Sequence, residues 1–194
     1  MRVIFLDRDG VINKYPGDSD YVKSWEEFQF LPKVKISLKR LNDSGFKLVI
    51  ISNQAGVSKG IYSQETLDLI TKNMLNELDK EKIEIAGVYF CIHRIEDNCF
   101  CRKPKTGLVD LAINKLKDLG TEIDLKNSYF IGDTIRDVET GKSAGLKTIL
   151  VFSGKEKPEN KNNWQVLPDF TTADLAEAVD IILNENTHRL CLSG

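Results

Sequence analysis

The sequence predicts a doubly wound α/β fold, one parallel sheet with helices on both faces. Three observations carry this expectation. Short apolar runs rich in β-branched residues recur along the chain, the pattern of strands buried on both faces. Longer segments lie between them, with apolar residues at helical spacing. The runs end in carboxylates, a hydroxyl and amides, as befits a sheet whose ligands bind beyond the carboxyl ends of its strands. Strands alternating with helices in this way imply right-handed βαβ units.

The first run, Val3 to Leu6, reads as the central strand and ends abruptly in Asp7-Arg8-Asp9-Gly10. Asn13 to Gln29 mixes polar and aromatic residues, with a turn at Pro16-Gly17-Asp18 and anchors at Tyr21, Trp25 and Phe28, and reads as a loop folded over that strand's end. Pro32 opens a helix through Val34, Leu38 and Leu41 that stops at Gly45. Phe46 to Ile51 is a second strand, ending in Ser52-Asn53-Gln54. Ser63 caps a long helix whose Leu67, Ile70, Met74 and Leu78 form a core-facing stripe.

Gly87 to Cys91 makes a third strand, a cysteine-rich loop follows, and Leu108, Ala112, Leu116 and Leu119 make a helix closed by Gly120. Tyr129 to Gly132 is a fourth strand ending in Asp133. Residues 136 to 144 read as a short helix before Gly145, and Thr148 to Phe152 as a fifth strand. Lys155 to Asn163 is a charged surface loop. Thr172 is expected to cap a last amphipathic helix reaching Leu183, and 184–194 to form a loose tail. One domain over 1–183 is expected, without internal repeats.

Hydrophobic residues make up 41% and charged residues 29% of the 194, ordinary for a soluble globular domain. A net charge of −2 supplies no field for nucleic acid or an anionic membrane, so a small-molecule partner is expected and any basic site must be local. The chain enters its first strand at once and no apolar run approaches the roughly 18 residues of a membrane span, so a cytoplasmic monomer is expected. Of four cysteines, three crowd between positions 91 and 101 beside one of two histidines, which in a reducing compartment points to metal sooner than disulfide.

Two carboxylates one residue apart at a strand end repel unless a cation sits with them, and oxygen ligands favour Mg²⁺. The bland alternative makes Asp7 and Asp9 turn formers around Gly10. Successive strand ends add Ser52, Lys103, Asp133 and Asp137. These are groups phosphoryl transfer needs: carboxylates for metal and nucleophile, a lysine and a hydroxyl for the phosphoryl oxygens. Cys91-x-His93 and Cys99-x-Cys101 offer four ligands suited to tetrahedral Zn²⁺, a closed and therefore structural site within the loop 91–103. The alternative there is a buried thiol at Cys91 and ordinary loop residues.

DRDGV, SNQ, the lysine of CRKP and GDTIRD resemble the four motifs of the haloacid dehalogenase superfamily of phosphatases. DRDGVIN, YV, LP, SNQAGVSKG, C-x-H, C-x-C-RKP and GD together resemble its capless histidinol-phosphatase and heptose-bisphosphate-phosphatase branch. The resemblance implies a phosphatase with no large cap domain, in which Asp7 attacks phosphorus and Asp9 is general acid and base. It implies Mg²⁺ held by Asp7, the Asp9 backbone carbonyl and Asp133, with Asp137 outside that set. Ser52 and Lys103 would then stabilise the phosphoryl group and Arg102 recognise substrate, with Asn53, Gln54 and Tyr21 as further substrate contacts.

The substrate the resemblance favours is a sugar bisphosphate, D-glycero-D-manno-heptose 1,7-bisphosphate losing its C7 phosphate. Histidinol phosphate, another sugar bisphosphate and a polynucleotide 3′-phosphate are the alternatives. A phospho-receiver signalling domain is a remote one, because its acceptor carboxylate belongs on strand three, which here ends in Cys91. Three departures from the branch stand out: a short spacer from His93 to Cys99, a long opening loop from Lys14 to Asp20, and Thr134 where heptose-bisphosphate enzymes tend to carry lysine.

Overall fold

A computed structural model describes the chain apart from residues 119, 121, 193 and 194, and for 186–192 the helical backbone alone. Six strands form one sheet: β1 Arg2–Leu6, β2 Phe46–Asn53, β3 Ile85–Cys91, β4 Tyr129–Gly132, β5 Lys147–Val151 and β6 Phe170–Thr172. Their order is β3-β2-β1-β4-β5-β6 and every pairing is parallel. The helices are α1 Val34–Asp43, α2 Gln64–Asp79, α3 Gly107–Lys117, α4 Ile135–Ser143 and α5 Leu175–Leu192.

β1 shows why the sheet is two-sided. Val3, Ile4, Phe5 and Leu6 are all fully buried. Ile4 and Leu6 pack into a layer with Leu38 and Leu41 of α1, Ile70 and Met74 of α2, and Val179 and Ile182 of α5. Val3 and Phe5 face the opposite layer, with Val109, Ala112 and Leu116 of α3. The alternation of successive side chains across a strand does this, and each buried aliphatic contributes roughly 1.5–3 kcal/mol over its exposed state.

The strand order reverses on either side of β1, which pairs with β2 and β4. A crevice opens beyond the strands at such a switch point. Asp7 and Asp133 follow directly on their strands there, and Ser52 is one of the last two residues of β2.

Local details differ from the sequence expectations for identifiable reasons. β6 was not anticipated, because three residues are too few to show alternation. Thr172 lies in β6 instead of capping α5. Asp174 accepts the Glu177 N–H and Glu177 accepts that of Ala173, while Thr172 donates to the Asp174 carbonyl. α5 runs to Leu192, past Leu183, so most of the expected loose tail is helical backbone. Apolar periodicity fades in the sequence after Leu183 although the helical backbone continues. β2 carries its ladder on to Asn53, and Pro158–Asn163 forms 3₁₀ turns within the charged loop. Leu119 lies outside the described residues. Ser63 caps α2 as expected, accepting the Thr66 N–H at 3.2 Å.

Candidate active site

Asp7 follows directly on β1 and is buried. The Arg8 N–H donates to its Oδ1 at 2.7 Å, and Lys103 Nζ lies 2.7 Å from its Oδ2. Lys103 also meets Asp137 Oδ1 at 2.6 Å and donates to the Ile51 carbonyl at 3.0 Å. Asp133, directly after β4, accepts the Lys155 N–H at 2.7 Å. Carboxylate oxygens of Asp7, Asp133 and Asp137 lie within 4.8 Å of one another, all three residues buried.

Three carboxylates facing one ammonium leave uncompensated negative charge in a dry crevice. Burial, opposed by Lys103, pushes Asp7 up to about 6, and burial with the Asp7 and Asp137 charges raises Asp133 well above the ordinary carboxylate range. Burial alone would lower Lys103, but Asp137 and Asp7 outweigh it and hold the ammonium charged. A hard divalent cation answers this arrangement, and Asp7 and Asp133 are placed to hold one.

The backbone is shaped around Asp133. Gly10 has φ +81°, and a Cβ there would lie 2.2 Å from Asp133 Oδ2; a Cβ on Gly154 would lie 2.0 Å from the same atom. Only glycine permits both approaches.

Asp9 is held by a separate set of partners. Its Oδ1 accepts from Arg8 Nε at 3.2 Å, Arg8 Nη2 at 2.8 Å and Asn13 Nδ2 at 2.8 Å, and its Oδ2 from Gln54 Nε2 at 2.9 Å. The side chain keeps 18% exposure toward the cleft while Arg8 is buried. Ser52 is buried and its Oγ accepts from Gln54 at 3.1 Å, which leaves the hydroxyl proton to donate elsewhere. The cleft, about 180 Å³, is lined by Asp7, Asp9, Ser52, Lys103 and Asp133 together with Tyr21, Asn53, Arg102, Arg136 and Lys155. A larger cavity of about 580 Å³ beside α1 is lined by apolar residues, surface cations and Glu81, and by none of the candidate residues.

Beside the cleft, ligand atoms of Cys91, His93, Cys99 and Cys101 also lie within 4.8 Å of one another. Cys91–Cys99, Cys91–Cys101 and Cys99–Cys101 sulfur distances are 3.6, 3.3 and 3.4 Å, and His93 Nδ1 is 3.7 Å from Cys91 and 3.2 Å from Cys101. Metal bonds of about 2.3 Å to sulfur and 2.0–2.1 Å to nitrogen give tetrahedral edges of about 3.6–3.8 Å, so the donor set fits a zinc-sized ion. Burial pushes the Cys91 thiol up and Cys101 up to about 12. Cys99, raised by burial but lowered more by bonds from Cys101 and Cys91, falls to about 7. Cations stitch the loop down: Lys105 donates to the Asn98 and Cys99 carbonyls, Arg94 to that of Ser58, and Arg102 Nη1 to that of His93.

Residues 2–183 match the family described as Polynucleotide kinase 3 phosphatase. The chain belongs to this phosphatase family. It is 37% identical over 200 aligned positions to the D-glycero-D-manno-heptose-1,7-bisphosphate 7-phosphatase of Chlorobaculum tepidum, covering 97% of this chain and 98% of that one. A relative in Photorhabdus laumondii, the D-glycero-alpha-D-manno-heptose-1,7-bisphosphate 7-phosphatase, is 34% identical over 171 residues, covering 84% of this chain and 89% of its own. The crystal structure of the D,D-heptose 1,7-bisphosphate phosphatase from B. bronchiseptica, complexed with magnesium and phosphate, superposes with a TM-score of 0.83 at 29% identity, covering 95% of this chain and 99% of that one. A haloacid dehalogenase-like hydrolase from Bacteroides fragilis, 14% identical with a TM-score of 0.60, shares the fold over 91% of this chain and 98% of that one. Its family match and these relatives make the phosphatase a member of the haloacid dehalogenase superfamily, as the motifs implied.

In the phosphatase the expected residues Asp7, Asp9, Ser52, Lys103, Asp133, Arg102, Asn53 and Tyr21 line one cleft. Gln54 requires a correction. Expected to touch substrate, it is fully buried, with Nε2 on Asp9 and Ser52 and Oε1 accepting from Tyr62 at 2.7 Å. Asn53 pairs reciprocally with the Lys103 backbone, at 3.2 and 3.1 Å, and so ties β2 to the zinc-type loop. Asp137, expected outside the metal set, stands within the carboxylate group and doubles as a cap, accepting from the Thr134 N–H and hydroxyl. Sequence reading missed Arg8, Tyr62 and Gly154. A buried arginine between two aspartates leaves no periodic signal, and Gly154 acts only through a contact distant in sequence.

Among the described residues no helix is long and apolar enough to cross a membrane.

Proposed function

We propose that the phosphatase hydrolyses phosphomonoesters through a phosphoryl group carried on Asp7, and that its substrate is D-glycero-D-manno-heptose 1,7-bisphosphate, cleaved at C7. The observation that carries the chemistry is the buried Asp7 carboxylate, oriented by the Arg8 N–H and Lys103 and flanked by Asp133. That geometry suits a nucleophile facing an anionic substrate.

Asp7 attacks phosphorus in line, and Asp9 delivers a proton to the departing sugar oxygen. Asp9 then takes a proton from the water that attacks the Asp7 acyl phosphate, which releases phosphate, frees the Asp7 carboxylate and leaves Asp9 protonated as it began. Ser52, which accepts from Gln54, donates its hydroxyl proton to a phosphoryl oxygen, and Lys103 neutralises another. Asp7 and Asp133, with the Asp9 carbonyl, would hold Mg²⁺, whose chemistry is to orient the phosphoryl group and offset its charge. The Cys91, His93, Cys99 and Cys101 cluster would hold a structural Zn²⁺ that shapes the loop bearing Arg102 and Lys103.

Two supports favour a bisphosphate. The named relatives act on one, and the cleft adjoins a second cavity of about 230 Å³ that shares Arg102, Lys103 and Arg136 in its lining. Neighbouring cations are engaged: Lys155 pairs with Asp18 at 2.7 Å and Lys105 with Asn98. Arg102 keeps donors free, and among the described residues the Arg136 guanidinium has no polar partner. Both can take the phosphate that stays on the sugar, in a charge-assisted contact. A polynucleotide 3′-phosphate is the second reading, favoured by the family description alone. Phosphate release from the heptose bisphosphate in both anomers, histidinol phosphate, a hexose bisphosphate and a 3′-phosphorylated oligonucleotide tests this. The heptose bisphosphate should give the highest kcat/KM, and preference for the oligonucleotide or histidinol phosphate would overturn the substrate.

A further inference from the structure

Beneath the cleft, Tyr62 hydroxyl, Gln54 amide and Asp9 carboxylate form a hydrogen-bonded row, 2.7 Å from Tyr62 to Gln54 Oε1 and 2.9 Å from Gln54 Nε2 to Asp9 Oδ2. Gln54 is fully buried and Tyr62 is 8% exposed. The donor sense of the row is set at its Asp9 end. Asp9 Oδ2 accepts here, so the Gln54 NH₂ group faces Asp9 and Ser52, and the carbonyl on its other side accepts from the phenol O–H. Burial raises the Tyr62 phenol above its ordinary value and keeps that proton in place.

A buried glutamine amide can turn end for end with little change of shape, and only one orientation donates to Asp9. Asp9 sets that orientation, and the Tyr62 hydroxyl, which can donate or accept, pins the far end of the amide so that its NH₂ group stays on Asp9. The position of its ring is built in: a Cβ on Gly56 would lie 2.2 Å from a Tyr62 ring carbon, and the Tyr21 ring meets it edge-on at 5.9 Å between centroids. Arg8 and Asn13 also hold Asp9, but Gln54 donates to both Asp9 and Ser52, so its orientation sets the proton donor and the phosphoryl-binding hydroxyl together.

We infer that Tyr62 is a positioning residue, acting through Gln54 to hold Asp9 where it can protonate the leaving oxygen. This rests on the proton-transfer role given to Asp9 above. An acid held in place matters most when the leaving oxygen is basic, so the loss should depend on the leaving group.

The test is single-turnover release of the phenol from phenyl phosphate and from p-nitrophenyl phosphate, with melting temperatures recorded for each variant. Tyr62→Phe should slow phenyl phosphate at least about tenfold and p-nitrophenyl phosphate less than about threefold, a fraction of what general acid catalysis supplies. Gly56→Ala, which moves the ring and keeps the hydroxyl, should show the same selectivity. In a Gln54→Met background Tyr62→Phe should add nothing. Equal losses on both substrates, or selectivity that persists without Gln54, would overturn the relay and leave Tyr62 a packing residue. Asp9→Asn is the control. If it shows no leaving-group selectivity, the role of Asp9 itself fails; if it does while Tyr62→Phe and Gly56→Ala do not, the relay alone fails.

Discussion

Lys103 and Asp137 form a buried ion pair 2.6 Å long, with side chains 3% and 1% exposed, and the same ammonium reaches Asp7 at 2.7 Å. One cation therefore supports both the proposed nucleophile and the helix cap that begins α4. Removing one member of such a pair strands charge in a dry site. Lys103→Met should abolish activity and destabilise the fold by about 3–5 kcal/mol, with Mg²⁺ restoring part of the loss. Chemical denaturation with and without Mg²⁺ measures this, and an unchanged midpoint would remove Lys103 from its proposed role.

The raised Asp7 and Asp133 values give a pH dependence with a definite sign. A carboxyl whose folded value lies above its unfolded one, about 3.9, stabilises the fold at low pH. That contribution is lost as pH rises through the folded value, about 6 for Asp7. Metal-free protein should therefore lose melting temperature between pH 4 and 7 from these two groups. Mg²⁺ should bind more weakly below about pH 6 with uptake that releases protons, and Asp133→Asn should melt higher than wild type without metal. Calorimetric titration in buffers of different ionisation enthalpy reads the proton release directly.

Gly154→Ala places a methyl 2.0 Å from Asp133 Oδ2. The carboxylate must move, so Mg²⁺ affinity should fall by about 10–100-fold, the scale seen when support around a metal ligand is lost. Magnesium dependence of phosphate release checks it, and an unaltered half-saturation would show that Asp133 is not a ligand.

For the thiol and imidazole cluster, metal analysis should find about one zinc per chain. Cys99→Ser should lose it, lower the melting temperature, and raise KM more than it lowers kcat if Arg102, which donates to the His93 carbonyl, drifts from the cleft. A protein free of zinc with unchanged melting and kinetics would show that the cluster is a group of ordinary thiols.

Much of this was legible in the sequence. The apolar runs at Val3–Leu6 and Tyr129–Gly132 marked buried strands, and the polar residues that end them converge because parallel strands deliver their carboxyl ends to one edge. What was not legible depends on contacts that periodicity does not record. β6 is too short to alternate, and α5 extends beyond its apolar stripe. Gln54 looked like a ligand contact because it closely follows Ser52, yet it is fully buried and its amide is spent on Asp9 and Tyr62. Asp137 looked peripheral because its two hydrogen bonds to Thr134 are local; its third partner, Lys103, comes from a loop far back in the chain.

In the proposed reaction Asp7 carries the phosphoryl group and Asp9 moves the proton. The most direct measurement is the intact mass of Asp9→Asn after exposure to p-nitrophenyl phosphate with Mg²⁺. That leaving group scarcely needs protonation, whereas hydrolysis of the acyl phosphate still needs a base worth about 10²- to 10⁴-fold. The predicted result is an adduct about 80 Da heavier, one phosphoryl group, mapped to Asp7 and absent from the Asp7→Asn protein. Wild-type turnover by Asp9→Asn with no accumulating adduct, or substantial activity in Asp7→Asn, would contradict it.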